Sequence, residues 1–173
     1  MSPDPLANPE ALIERVYSFV AYSIGPGADA EDVTSETFAR AVRHRHQYDP
    51  ARGKPLSWLL GIARRCLSDF RAQRNPQPIA VLEAATANDL EHEALARLAL
   101  EDALATLGER DMELISLRHG ADLSIGQIAQ IVGMSPGAVR VALHRAHARL
   151  RAQLEHAETG PQPRAAVGFE PAP

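Results

Sequence analysis

The stretch LSIGQIAQIVGMSPGAVRVALHRAHARLRAQL, residues 123–154, decides the predicted fold because it contains the start and stop signals of two consecutive helices. Ser124, with a glutamine three residues later, has the form of a capping box, which satisfies free amides at a helix start. Gly133 lies where that helix must end, and Ser135 before Pro136 is an N-cap followed by proline at the first helical position. The two helices follow each other closely, so the sequence predicts a helix-turn-helix.

The second of these helices is predicted to carry a basic outer face. Its last eighteen residues within the stretch hold four arginines and two histidines, with no acid before Glu155. At helical spacing, the apolar seams of the two helices are Ile125, Ile128, Ala129 and Val132, then Val139, Leu143, Ala146 and Leu150. The residues expected to face DNA are Ser135, Pro136, Gly137, Arg140, Val141, His144 and Arg145. The N-terminal half suits a major groove and the arginines suit phosphates, whereas a plain helical hairpin with solvated arginines does not explain why these features coincide.

Hydrophobic periodicity in the rest of the chain predicts an all-α protein with two small helical domains. The first, residues 10–74, is expected to contain three helices: one through Leu12 and Val20, one from Asp29 with Val33, Phe38 and Val42 inward, and one through Leu59 and Phe70. Pro76 and Pro78 interrupt periodicity and indicate a flexible linker over 75–93. The second domain, 94–155, is expected to contain a helix through Leu95 and Leu107, a short one over 112–117 and the helix-turn-helix, followed by a disordered tail over 156–173.

Composition limits the classes of function. The 173 residues are 45% hydrophobic and 23% charged, and the single cysteine, Cys66, cannot form an internal disulfide. The N-terminal residues lack the basic start and apolar centre of a signal peptide, and arginines interrupt the most apolar segments. We therefore expect a soluble cytoplasmic protein without membrane insertion.

Charge is distributed in alternating blocks along a chain whose net charge is −4. Residues 1–39 and 75–115 are acidic, whereas residues 40–74 and 116–155 are basic. This pattern indicates two anionic contacts on one partner, or two partners of opposite charge, although solvated helix faces are a simpler alternative.

The first basic block combines cations with an aromatic side chain. Arg52 and Lys54 lie in a proline- and glycine-containing loop, and Trp58 follows at the start of the third helix. A tryptophan beside a cationic loop can stack on an unpaired base, whereas in a small helical domain a tryptophan commonly belongs to the core. Both interpretations stay open at this point.

Two segments resemble a known family. DAEDVTSETFARAVRHRHQYDPARGKPLSWLLGIARRCLSDFRAQR resembles region 2 of extracytoplasmic-function (ECF) sigma factors, and ALATLGERDMELISLRHGADLSIGQIAQIVGMSPGAVRVALHRAHARLRAQL resembles their region 4. The resemblance implies a subunit that binds core RNA polymerase and promoter DNA, is inhibited by an anti-sigma factor, and needs no cofactor or metal. The implied polymerase-binding residues are Asp29, Glu31, Asp32, Glu36, Thr37, Phe38 and Arg40. The implied contacts with the minus-ten element are Arg52, Lys54, Ser57, Trp58, Arg64 and Arg65, and the DNA-facing residues of the helix-turn-helix would contact the minus-thirty-five element.

Several positions depart from the family pattern. The family usually has a glutamine at the position of Ser35, a proline at that of Gly108, and a polar then a basic residue at those of Val141 and Ala142. The implied polymerase binding survives these changes, but a promoter sequence does not transfer, because base readout depends on exposed side chains.

Three alternatives compete with this interpretation. An enzyme or metal site would use His44 with His46, His144 with His147, or Cys66, but the surrounding arginines repel a cation and no further ligand lies at zinc-site spacing. A helix-turn-helix repressor or activator acting without polymerase would need a dimer interface or effector domain in residues 10–74. A sigma-like protein that serves only as an interaction module is the third alternative, and melting of a forked promoter distinguishes it from a working sigma factor.

Overall fold

The computed structural model describes residues 4–73, 103–104 and 106–159, which contain helices and connecting turns and no strand. The helices are α1 (Pro9–Ile24), α2 (Ala28–His44), α3 (Pro55–Gln73), α4 (Glu109–Ile115), α5 (Ile125–Val132) and α6 (Pro136–Thr159). A short 3-10 helix, Arg45–Gln47, follows α2, and a π-helical turn, Ser116–Gly120, follows α4. Within the described ranges, no helix is long and apolar enough to cross a membrane. The predicted all-α fold with two helical units is confirmed.

The N-terminal unit comprises α1, α2 and α3, which pack around one apolar core. Three residues that the periodicity places on the inner faces, Val20, Val33 and Leu59, are buried as predicted. The other buried residues of this core include Val16, Phe19, Leu60, Ala63 and Leu67. The inward position predicted for Val42 is wrong, because its side chain is 53% exposed. Nine residues separate it from Val33, and at about 100° per residue this places the two side chains on opposite faces of α2. The adjacent Ala41 is the buried residue at this end of the helix.

The C-terminal unit comprises α4, the π-helical turn, α5 and α6. The predicted short helix over 112–117 is observed, but it begins at Glu109 and its end widens into the π-helical turn. The predicted helix through Leu95 lies mostly outside the described residues, as do the linker and residues 160–173 of the predicted tail. Helix α6 continues to Thr159, four residues past Glu155, at which the second domain was predicted to end.

The two units share a continuous core in this conformation. Phe19 and Val20 of α1 belong to the same buried cluster as Leu117 of the π-helical turn and Leu123, which precedes α5. Cys66 of α3 is 4% exposed and belongs to this cluster, as expected for a small apolar filler. The packing brings the C-terminal unit against α1 and α3 rather than leaving it separate.

Candidate nucleic-acid and polymerase interfaces

The helix-turn-helix contains the helix caps and the turn glycine that the sequence predicts. The backbone N–H of Gln127 donates to Ser124 Oγ at 3.3 Å, and the backbone N–H of Ser124 donates to Gln127 Oε1 at 2.9 Å, so the capping box is complete. Gly133 ends α5 with φ 69° and ψ 33°, the left-handed conformation that glycine adopts most readily. The N–H of Ala138 donates to Ser135 Oγ at 3.2 Å, which caps the start of α6. The turn and both helix ends are therefore fixed by hydrogen bonds.

The outer face of α6 is open along its N-terminal half. Val139, Leu143 and Ala146 are buried against the rest of the unit, as predicted. All seven residues predicted to face DNA are exposed: Ser135, Pro136, Gly137, Arg140, Val141, His144 and Arg145. Neither Arg140 nor Arg145 forms an ion pair with any residue that the structure describes, so their charges are available to an external anion.

The loop before α3 holds its cations in a defined position. The Tyr48 hydroxyl donates to the Gly53 carbonyl oxygen at 3.0 Å, and the N–H of Arg52 donates to the Asp49 carbonyl oxygen at 3.0 Å. Arg52 and Lys54 are both exposed, and the side chains of neither have a partner among the described residues. The loop therefore presents two unpaired positive charges on an ordered backbone.

Trp58 lies partly in the core and partly at the surface. Its side chain is half-buried against the core, and its ring centroid lies 5.5 Å from that of Tyr48, at an interplanar angle of 56°. Ser57 beside it is also half-buried. The indole thus anchors the cationic loop and keeps part of its surface open to solvent.

Arg64 and Arg65 differ in their surroundings although they are neighbours in sequence. Arg65 is exposed. Arg64 Nε donates to Glu113 Oε1 at 2.6 Å, and Arg64 Nη1 donates to the Ile131 carbonyl oxygen at 2.8 Å. In this conformation the Arg64 guanidinium is therefore occupied by the C-terminal unit. Sequence reasoning missed this contact, since no local pattern links residues that lie 49 and 67 positions apart.

The acidic helix α2 presents only some of the residues predicted to bind polymerase. Glu31 and Asp32 are exposed, Asp29 is half-buried, and Phe38 packs partly against the core. Thr37 is fully buried and its hydroxyl donates to the Val33 carbonyl oxygen at 2.7 Å, so in this conformation it supports the helix instead of contributing to the surface.

The remaining two, Glu36 and Arg40, belong to an ion-pair network that joins α2 to α3. Arg40 Nε lies 2.6 Å from Glu36 Oε1, and Arg40 Nη1 lies 2.8 Å from Asp69 Oδ2. Hydrogen bonding by Arg40 lowers the pKa of Glu36, with a smaller contribution from Arg43, and the same bonds raise the pKa of Arg40. Glu36 and Arg40 therefore remain charged at neutral pH, and each holds the other in position.

The histidines considered as metal ligands lie in two separate places, at the end of α2 and along α6. Among the described residues, no group of three histidine, cysteine, aspartate or glutamate side chains can hold a metal ion. The rings of His44 and His46 lie 6.4 Å apart, whereas His147 pairs with His119, with their Nε2 atoms 2.9 Å apart. Burial, followed by the effect of His147 and Arg118, lowers the pKa of His119. The sequence did not predict this histidine pair.

Comparisons with known proteins agree with the geometry. Residues 10–76 match sigma-70 region 2, and residues 97–150 match sigma-70 region 4. The RNA polymerase sigma factor CarQ of Myxococcus xanthus is 34% identical over 150 residues, which cover 83% of this chain and 85% of CarQ. The ECF RNA polymerase sigma factor BldN of Streptomyces coelicolor is 33% identical over 141 residues, which cover 77% of this chain and 53% of BldN. The match thus spans about half the length of BldN.

Solved structures show the same fold. The sigma factor RpoE in complex with the anti-sigma factor NepR, from Bartonella quintana, superposes with a TM-score of 0.64 at 20% identity, over 83% of this chain and 92% of that chain. CnrH in complex with the cytosolic domain of CnrY superposes with a TM-score of 0.59 at 26% identity, over 84% of this chain and 80% of that chain. Both likenesses extend over both helical units.

Proposed function

We propose a mode of action for this chain, which belongs to the ECF sigma factors of the sigma-70 family and so directs core RNA polymerase to promoters. The observation that carries the proposal is the exposed face at the start of α6, where Arg140 and Arg145 form no ion pair with any described residue, within a helix-turn-helix whose helix starts are both capped. The protein would make and break no covalent bond. We place its action in the cytoplasm, with polymerase.

The C-terminal unit would bind the minus-thirty-five element through the start of α6. Ser135, Pro136 and Gly137 lie at the N-terminus of the helix, where side chains and backbone amides approach the groove and phosphates. Arg140, His144 and Arg145 would bind phosphates or base edges, and the exposed Val141 side chain suits the methyl group of a thymine. Val141 stands where the family usually has a polar residue, so the base pair preferred opposite this side chain would differ from that preferred by many relatives.

The N-terminal unit would hold the melted minus-ten element. Arg52, Lys54 and Arg65 supply exposed positive charge, and the open part of Trp58 with Ser57 offers a surface for an unstacked base. Arg64 would join this surface once it is released from Glu113. Binding energy from these contacts would favour local strand separation.

Polymerase docking would use the exposed edge of α2. Glu31 and Asp32 are exposed acids, and Asp29, Phe38 and the Glu36–Arg40 pair extend the same helix. Because Thr37 is buried, we propose that it maintains the shape of this surface rather than touching polymerase. Exposed carboxylates on one helix suit a basic patch on a protein partner.

An anti-sigma factor is a further proposed partner. RpoE and CnrH, two sigma factors with this fold, were solved with NepR and with the cytosolic domain of CnrY.

The direct test is run-off transcription from fragmented genomic DNA, with core polymerase in the presence and absence of the protein, followed by sequencing of transcript starts. New starts that share a two-part upstream motif are expected. If the protein instead binds duplex DNA alone and produces no new start, a repressor or activator acting without polymerase becomes the better interpretation. A forked promoter with a pre-melted minus-ten element separates recognition from melting.

A further inference from the structure

A pair of histidines joins two segments of the C-terminal unit and has no part in the proposed function. His119 lies in the π-helical turn and His147 lies on α6, with their Nε2 atoms 2.9 Å apart. The ring centroids are 5.2 Å apart and the interplanar angle is 72°. His119 is exposed and His147 is half-buried, so solvent reaches the pair. Two nitrogen atoms that can bind a metal therefore converge at the surface from positions 28 residues apart in the chain.

The two rings are held together by a proton that a cation can replace. A neutral imidazole carries one proton, so at 2.9 Å one Nε2 donates an N–H and the other accepts with its lone pair. Burial, with smaller effects of His147 and Arg118, lowers the pKa of His119, which keeps its ring neutral at neutral pH. When the bridging proton moves through solvent to Nδ1 of its own ring, both Nε2 lone pairs become free while both rings stay neutral. Neutral imidazole is the commonest metal ligand among protein side chains.

The spacing of the rings matches a tetrahedral ion. A Zn–N bond of about 2.05 Å, extended by about 1.15 Å from the nitrogen to the ring centre, puts each centroid about 3.2 Å from the metal. Two such ligands at the tetrahedral angle of about 109° have centroids about 5.2 Å apart, which is the separation found between His119 and His147. Binding would require each ring to rotate by about 35°, which brings the Nε2 atoms about 3.3 Å apart. Ligands at about 90° would need centroids about 4.5 Å apart, so the spacing favours zinc over ions of square-planar or octahedral geometry.

The neighbouring cations are engaged by oxygen atoms of the protein. Arg118 Nη1 donates to the Leu123 carbonyl oxygen at 2.7 Å. Arg149, two residues after His147, forms an ion pair with Asp111 of α4, which compensates its charge. The remaining charge of Arg118 lowers the affinity for a cation but occupies neither imidazole lone pair.

We propose that His119 and His147 form a zinc site that clips the π-helical turn to α6, with two positions of the tetrahedron left to water. Among the described residues, no group of three histidine, cysteine or carboxylate side chains can hold a metal, so this is an open surface site of modest affinity rather than a closed structural centre. Zinc would stabilise the C-terminal unit, because it binds the folded arrangement and unfolding separates the two rings. The site is independent of promoter and polymerase binding.

Isothermal titration calorimetry of the full chain with zinc chloride, after removal of metal with EDTA and dialysis, tests the site. We expect one zinc ion per wild-type chain. His119→Gln and His147→Gln each leave a single ligand and should weaken binding by more than about ten-fold, the least that loss of even an outer-shell partner of a metal site costs. His144→Gln is the matched control, because it removes an exposed imidazole from the same helix, three residues before His147, and should bind zinc as the wild type does.

Thermal unfolding measures the clip itself. At a free zinc concentration about 100 times the Kd, the ratio of folded to unfolded protein rises about 100-fold, which is about 2.7 kcal/mol. For a chain of this size the Tm should then rise by about 5 to 10 °C. The rise should disappear on addition of EDTA and be absent from His119→Gln and His147→Gln. Circular dichroism without zinc would establish that these variants keep their helices.

Absence of saturable zinc binding by the wild type would overturn the proposal. Binding that persists unchanged in both single variants, or that falls equally in His144→Gln, would show adventitious binding to other surface side chains and also overturn it. Stoichiometric binding without a rise in Tm would overturn the clip between the π-helical turn and α6. None of these measurements involves transcription, so a failure of the proposed function would leave the zinc site standing.

Discussion

Replacing Arg140 by alanine should weaken promoter binding by an amount that depends on salt in a calculable way. The Arg140 side chain is exposed on α6 and forms no ion pair with a described residue, so its full charge is available to DNA and its removal leaves no buried partner. The substitution should therefore leave thermal stability nearly unchanged and act on binding alone.

The expected magnitude has two separable parts. Loss of one phosphate contact lowers the slope of log affinity against log salt by about 0.9, so between about 50 mM and about 200 mM salt the difference between wild type and variant changes about 3.5-fold. A contact with a base edge would add about 1 to 3 kcal/mol to the preference for the correct base pair over a wrong one, at all salt concentrations. The salt series thus distinguishes whether Arg140 binds a phosphate, reads a base, or does both.

The assay is equilibrium binding of the polymerase–sigma complex to a labelled promoter fragment over a salt series. Arg110→Ala is the matched control, because it removes the same charge from the same unit but from α4, where Arg110 contacts Met134 rather than lying on the α6 face. Equal slopes and equal affinities for Arg140→Ala and wild type would refute the placement of Arg140 at the promoter.

Three further predictions concern stability and docking. Gly133→Ala places a methyl group in open space but forces alanine to φ 69°. It should therefore destabilise the protein by about 1 to 2 kcal/mol and lower the Tm by about 3 °C or more. Gly126→Ala, inside α5, should instead stabilise the protein, and equal Tm shifts for the two variants would contradict the assignment of the turn. Asp32→Lys should reduce binding to core polymerase in pull-down experiments with an unchanged circular dichroism spectrum, and retained binding would place the docking surface elsewhere. Burial, with a smaller effect of His147, holds the pKa of His119 in the folded protein below its ordinary 6.5. Its contribution to stability is therefore present above about pH 6.5 and is lost as pH falls, so His119→Gln should flatten the fall in Tm between about pH 7.5 and about pH 5.5. An unchanged profile would exclude the titration of His119 as the cause of that fall.

The parts of the fold that the sequence predicts are those set by residues close together in the chain. The capping box at Ser124, the left-handed Gly133 and the cap at Ser135 each act within a few positions, and all three are confirmed. Few residue types suit such positions, because few side chains can accept a hydrogen bond from a free amide at a helix start and few residues readily adopt a positive φ. The apolar seam of α6 follows from the same logic of helical spacing. Val42 lies outside the core although it is apolar, because its angular separation from Val33 places it on the opposite face of α2.

The features that sequence reasoning missed depend on contacts between distant segments. Nothing near Arg64 in the sequence indicates that its partner is Glu113, and its position in a basic block favours a DNA contact instead. Gly120 is a second example. It has no positive φ and caps no described helix, so its own backbone conformation does not explain why a glycine stands there. Its hydrogen atom faces the backbone of α1, and this contact exists only when the two units are together. Substituting Gly120 therefore disturbs the contact between the two units without conflicting with the backbone conformation inside either unit.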